Sequence, residues 1–147
     1  MIVTASLSTG IARTTRGLQE SIDLMDHILA IEHKNWETIL CIGDVEFRTS
    51  KGGGPYPNHQ VRVSVKPSSG YAAINYMDHD DAEMVVANSY NPDRPLPDVS
   101  LVFNGESGTV FPRTAAILIG DARKALIEWL NTRRRPASIA WRPFDIY

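Results

Sequence analysis

The feature that most constrains the fold is a bounded amphipathic stretch late in the chain. Ala122, Ala125, Leu126, Trp129 and Leu130 recur at i, i+3, i+4, i+7 and i+8, one apolar stripe at the helical period. Gly120-Asp121 opens it, placing a carboxylate beside the free N–H groups and the positive end of the helix dipole. At the far end Asn131 can take a left-handed conformation, Arg133, Arg134 and Arg135 face the negative end of the dipole, and Pro136 forbids continuation. Each large apolar side chain in such a stripe contributes about 1.5–3 kcal/mol on burial. The helix must therefore lie on something. It contains no nucleophile, base or ligand cluster.

The other elements supply a sheet for it to lie on. Ile2 to Leu7 is β-prone, and from Leu18 to about His33 a second helical pattern runs through Leu18, Ile22, Met25 and Leu29. This early helix is expected on the same sheet face as the late one or beside it. Trp36 to Phe47 reads as strand, interrupted by the turn signal Gly43-Asp44. Gly52-Gly53-Gly54-Pro55 and Pro57 then rule out a regular element. Val61, Val63 and Val65 alternate with Arg62, Ser64 and Lys66, the pattern of a half-exposed antiparallel strand. Tyr71 to Met77 follows, with Ala72, Ile74 and Tyr76 on one face, and Glu83 to Tyr90 makes a third meander strand. The Pro-bearing Asn91 to Asp98 is an extended loop; Val99–Phe103 and Thr109–Phe111 flank the hairpin signal Asn104-Gly105. A last strand surrounds Trp141, and Trp129 and Trp141 are expected in the core. The order (β)αβ-meander-αβ predicts an α+β fold, a single antiparallel sheet carrying an early and a late helix, in one domain over residues 1–147.

Composition narrows the function. A chain of 147 residues with 43% apolar and 22% charged residues can bury a core without metal or disulfide staples. The formal charge of −2 disfavours direct nucleic-acid binding. The total conceals an asymmetry. From Asp78 to Glu106 stand seven acidic residues against Arg94, and from Arg113 to Arg142 seven basic residues against Asp121 and Glu128. Such a sign change either marks an acidic surface facing a basic partner or only solvates exposed loops. The single Cys41 lies in the apolar run Ile39 to Ile42 and reads as a small buried hydrophobe. With no signal-peptide pattern and no bilayer-length apolar run, the expectation is a cytoplasmic protein that does not enter the membrane.

The motifs of catalysis are missing or misplaced. In Ser50-Lys51-Gly52-Gly53-Gly54 the Lys precedes the glycines, and prolines follow where a phosphate loop needs a helix. His27 and His33 stand six apart, on different helix faces, and the acidic turn around His79 lacks the spacing of a calcium loop. Gly105-Glu106-Ser107-Gly108 misses the spacing of a nucleophile elbow. The reading is therefore not an enzyme, with no metal and no cofactor. Binding features are better represented: Tyr76, Met77, Met84 and Tyr90 interleave with the acidic segment, giving aromatic anchors inside a charged rim, unless Tyr76 and Met84 face the core.

Tyr71-Ala72-Ala73-Ile74-Asn75-Tyr76, the acidic stretch, Thr109-Val110-Phe111-Pro112, Asp121 to Leu126, then Arg134-Arg135-Pro136 with Trp141 together resemble family one of the Imm immunity proteins. These protect bacteria from polymorphic toxins, commonly deaminases acting on nucleic-acid bases. The resemblance runs from Tyr71 to Arg142 and rests on scaffold positions Phe111, Pro112, Ala125, Leu126, Arg135, Pro136 and Trp141. It departs from the family where Arg133 and Arg134 stand in place of a Gly before Arg-Pro. It implies an inhibitor that occludes a toxin's active site, the toxin keeping any zinc for itself. An acidic patch would match a basic substrate groove, which makes Asp78, Asp80, Asp81, Glu83 and Asp93 the expected steering charges and Tyr76 and Tyr90 the expected anchors. The alternative is a small-ligand-binding or regulatory α+β domain that uses the Gly52–Pro57 loop and a cavity lined by Val61, Val63, Ile74 and Tyr76.

Overall fold

The computed structural model describes residues 1–47 and 55–144. Its elements in chain order are β1 (Ile2–Ser6), β2 (Ala12–Arg16), α1 (Leu18–Leu29), β3 (Thr38–Gly43), β4 (His59–Lys66), β5 (Tyr71–Asp78), β6 (Val86–Tyr90), β7 (Val102–Asn104), β8 (Thr109–Val110), β9 (Ile117–Leu118), α2 (Ile119–Thr132) and β10 (Ala140–Pro143). Among the described residues the main sheet runs β10-β6-β5-β4-β3-β1-β2, with β9 paired to β5 beyond the end of β6, and every pairing is antiparallel. This is the expected α+β sheet with an early and a late helix.

Both helices lie on one face. Val3, Leu40, Val61, Val63, Val65, Ile74 and Tyr76 meet Leu24, Met25 and Ile28 of α1 and Ala122, Ala125, Leu126 and Trp129 of α2 in one buried cluster. That packing fills the space a ligand cavity would need between Val61, Val63, Ile74 and Tyr76. The face of α1 turned inward is Ser21, Leu24, Met25, Ile28 and Leu29, so the helix is rotated from the expected stripe and leaves Leu18 exposed. Buried Ser21 is satisfied by Thr15 and by the carbonyl of Gly17. The late helix starts at Ile119, earlier than Gly120-Asp121, with Leu118 as its N-cap and Asp121 in the first turn. Its left-handed stop is Arg133, with φ 55°, rather than Asn131.

The opposite face is not open, as the alternation in β4 had suggested. A second cluster of Ala73, Leu101, Phe103, Phe111, Ala115 and Ala116 covers it, brought by the β7–β8 hairpin. Phe103 and Phe111 meet edge to face at 5.2 Å. Beneath them Ser64 is buried, and the Arg62 guanidinium lies 4.6 Å from the Phe103 ring centre. The third meander strand shortens to Val86–Tyr90 because residues 79–85 are taken up by a turn. Trp129 is buried as expected; Trp141 on the edge strand is only half-buried. Cys41 is buried, and burial pushes its thiol above the ordinary value. Gly52, Gly53 and Gly54, and with them half of the expected Gly52–Pro57 loop, lie outside the described residues.

Candidate functional site

The acidic turn between β5 and β6 is built by its own carboxylates. Asp78 accepts the Asp80 N–H at 2.8 Å, and Asp81 accepts the N–H groups of Glu83 and Met84 at 3.2 and 3.0 Å. Asn58 donates to the Asp80 carboxylate at 2.7 Å and its carbonyl takes the His79 N–H, tying the turn to the start of β4. Asp residues are suited to this because a short side chain reaches the N–H two residues ahead. Arg135 closes the arrangement: its guanidinium lies 3.0 Å from Asp81, each side chain 18% exposed, and donates to the Met84 carbonyl at 3.2 Å. Glu83 stands 4.0 Å from the same guanidinium and is 90% exposed.

The two halves of the charge asymmetry thus meet inside one molecule. Arg133, Arg134 and Arg135 face Asp78, Asp80, Asp81 and Glu83 across a hollow of about 550 Å³. The carboxylates that point outward are those of Asp80, which Asn58 holds, and Glu83, which only grazes the Arg135 guanidinium at 4.0 Å.

Below the turn lies Tyr76, only 1% exposed and part of the core. It cannot be a surface anchor. Its hydroxyl donates to the Asp78 carboxylate at 3.0 Å, and burial with that neighbouring charge pushes the phenol well above its ordinary value. The signal was present in the sequence: Tyr76 shares the period-2 face of Ile74. The Trp141 ring lies 6.0 Å from that of Tyr76, and its indole N–H donates to the Pro136 carbonyl at 2.6 Å. A continuous path therefore runs from Arg135 and Pro136 through Trp141 and Tyr76 to Asp78 and back through Asp81. Residues read from sequence as scaffold, and residues read as surface, form one construction.

Tyr90 and Asp93 sit elsewhere. They line a hollow of about 390 Å³ with Tyr71, Pro92 and Asp121, and the Arg142 guanidinium covers one face of the Tyr90 ring at 4.3 Å. His59, unremarked in the sequence, adjoins the acidic turn. Its Nε2 accepts the Ile42 N–H at 2.9 Å, and burial pushes the imidazole below its ordinary value, opposed by Asp78 and Asp80. Gly43 lies against the Phe47 ring, whose edge would have to move to admit a Cβ there. Among the described residues no group of three or more His, Cys, Asp or Glu side chains is arranged to hold a metal ion. No helix among them is long and apolar enough to cross a membrane.

Residues 10–143 match the family model described as Immunity protein Imm1. The chain belongs to this family. It matches no curated protein. The Imm1 match extends upstream of Tyr71, so β2, α1 and β3 are part of the family domain along with the late segment. Phe111 holds the hairpin on the sheet, exposed Pro112 precedes the 3-10 turn Arg113–Ala115, and Ala125 and Leu126 pack in the core. In an Imm1 domain the natural partner is a protein toxin, and the expected action is inhibition by binding.

Proposed function

We propose that this chain neutralises a cognate toxin by laying the Asp78–Glu83 turn over the basic substrate groove of a nucleic-acid-directed enzyme, a base deaminase. The observation that carries this is the Arg135–Asp81 lock. It holds the turn in one shape while leaving Asp80 and Glu83 projecting, so no loop ordering is required on binding. Preorganised carboxylates facing a basic groove raise the association rate and exclude the substrate by occupying its phosphate sites. The deaminase assignment is supported by the toxins commonly paired with such immunity proteins. Asp93 and Tyr90 would lie toward the rim, and the action is stoichiometric rather than catalytic, in the cytoplasm where an incoming toxin works.

Co-expression tests the reading. Cells carrying the toxin encoded beside this gene are expected to survive when the chain is present, and a one-to-one complex should co-purify. Death despite abundant folded protein sinks the inhibitor reading. Survival with a toxin that releases no ammonia from cytosine or adenine substrates would remove only the deaminase.

A further inference from the structure

The end of the sheet remote from the acidic turn presents a fixed, exposed tryptophan. Trp36 precedes β3, beside the β1–β2 and β7–β8 turns, and is 50% exposed. It is held from several sides. The Trp36 carbonyl accepts the Ser8 hydroxyl at 2.7 Å. Gly105 packs so closely on Asn35 and the indole that a Cβ at that position would overlap both. The adjacent Glu37 is buried, accepts the Gly105 N–H at 2.9 Å and faces Arg62 at 3.5 Å. Arg62 in turn donates to the Phe103 carbonyl at 2.6 Å. Beside the ring a shallow groove of about 490 Å³ is floored by Val102 and Val110, the latter 56% exposed, with Lys34 and Lys66 at its margin. Neither lysine makes an ion pair among the described residues.

We propose that the Trp36 groove is a second toxin-contact surface, one that takes an apolar side chain flanked by carboxylates from an acidic segment of the toxin outside its substrate groove. The inference rests on the inhibitor reading above. A rigid Trp with an exposed face is the side chain most enriched among residues that dominate interface energies, and its fixed position removes an ordering cost. Two lysines line the groove and no carboxylate does; Glu32, the one carboxylate felt by both, offsets a single charge, so the margin stays net positive and sets the sign of what it meets. A nucleic-acid strand fits less well. Single strands take successive stacking rings along a basic track, whereas this groove offers one ring and two lysines. The six residues of β3 separate this groove from the acidic turn by about 20 Å, far enough for substitutions at the two ends to act independently.

The test uses the full chain and the catalytically inactivated toxin encoded beside it, followed by surface plasmon resonance. Trp36→Ala is expected to weaken binding about 30-fold, mainly through faster dissociation, with an unchanged urea midpoint. Trp36→Phe should retain most of the affinity, and Lys34→Glu with Lys66→Glu should slow association severalfold. Unaltered affinity in Trp36→Ala overturns the inference, as does a thymidine oligonucleotide that binds the wild type and is lost in that variant. If the wild type binds and only Asp80→Lys/Glu83→Lys weakens it, this inference falls and the inhibitor reading stands. If the wild type does not bind the toxin, both fall.

Discussion

At one end of the sheet Arg135 reaches Asp81 at 3.0 Å, and at the other Arg62 reaches Glu37 at 3.5 Å. Each guanidinium also donates to a backbone carbonyl, of Met84 in the first case and Phe103 in the second. Each pair therefore anchors a turn that the sheet alone would leave loose: residues 79–85 at one end, the β7–β8 hairpin at the other. The difference lies in depth and in what is left over. Glu37 and Arg62 are 8% and 16% exposed, whereas Asp81 and Arg135 are 18% each. Once the pairs are made, Asp80 and Glu83 remain outward at one end and Lys34 and Lys66 at the other. Formal charge in the sequence thus overstates how acidic the first end is, because part of it is already met within the chain.

The depth difference predicts an order of stabilities. Glu37→Ala strands the buried Arg62 charge and frees the Gly105 N–H, and should cost about 3 kcal/mol in urea denaturation. Faster amide exchange at Gly105 would show that the hairpin has loosened. Arg135→Ala leaves Asp81 near enough to water to be resolvated, so the expected cost is about 1–2 kcal/mol. Exchange should quicken at Glu83 and Met84, whose N–H groups the Asp81 carboxylate holds. A larger loss from Arg135→Ala than from Glu37→Ala would break the comparison.

Charge reversal at the outer positions sharpens it from the other side. Asp80→Lys with Glu83→Lys removes only exposed contacts, the Asn58–Asp80 hydrogen bond and the 4.0 Å approach of Glu83 to Arg135, and should cost no more than about 1 kcal/mol. Toxin association should slow about tenfold, and its dependence on ionic strength should flatten. Asp81 is deliberately left intact, since reversing it would confuse steering with collapse of the turn. Unchanged association with a normal urea midpoint would remove the acidic turn from the interface while leaving family membership untouched.

What the sequence disclosed, and what it hid, follows from the range of the interactions. Period-2 alternation located β4 and β5, and the 3.6-residue stripe located α2, because those patterns are local. The outer face of β4 could not be read: Phe103 and Phe111 cover it from some 40 residues downstream, and nothing near Arg62 or Ser64 announces them. Arg135–Asp81 was half-visible as two opposed blocks of charge, but which side chains met was not. Tyr76 was misassigned for another reason. Its acidic neighbours suggested a surface although its period placed it with Ile74, and the period won because β5 is central and covered by the helices. Trp36 gave no signal, since only the two turns packed beside it keep an otherwise core-seeking indole in the open.

Each end also carries a histidine, His33 buried and His59 half-buried, and the smallest effect near neutrality concerns these two. The Ile31 carbonyl can only accept, so the His33 Nδ1 carries the proton and donates to it at 2.8 Å, while Nε2 accepts the Thr38 hydroxyl at 2.7 Å. His59 accepts the Ile42 N–H through Nε2, which requires its proton on Nδ1, beside the Asn58 side-chain oxygen. Burial pushes both imidazoles below the ordinary value, with Glu32 and Glu37 opposing at His33, and Asp78 and Asp80 opposing at His59. The unfolded chain therefore takes up these protons first. Stability is full above about pH 6.5 and falls as the pH drops from there toward the folded values. The two protonations are not equivalent. A proton on His33 Nε2 meets a hydroxyl that can rotate to accept it, whereas one on His59 Nε2 points at the Ile42 N–H, which cannot. As pH falls below neutrality, proton-detected exchange should therefore report opening at Ile42 before Thr38, with both imidazole resonances titrating below the ordinary histidine range. Titration of His59 at or above that range would mean that its ring is not the neutral acceptor joining β3 to β4. The acidic end would then lose the support that distinguishes it from a free loop.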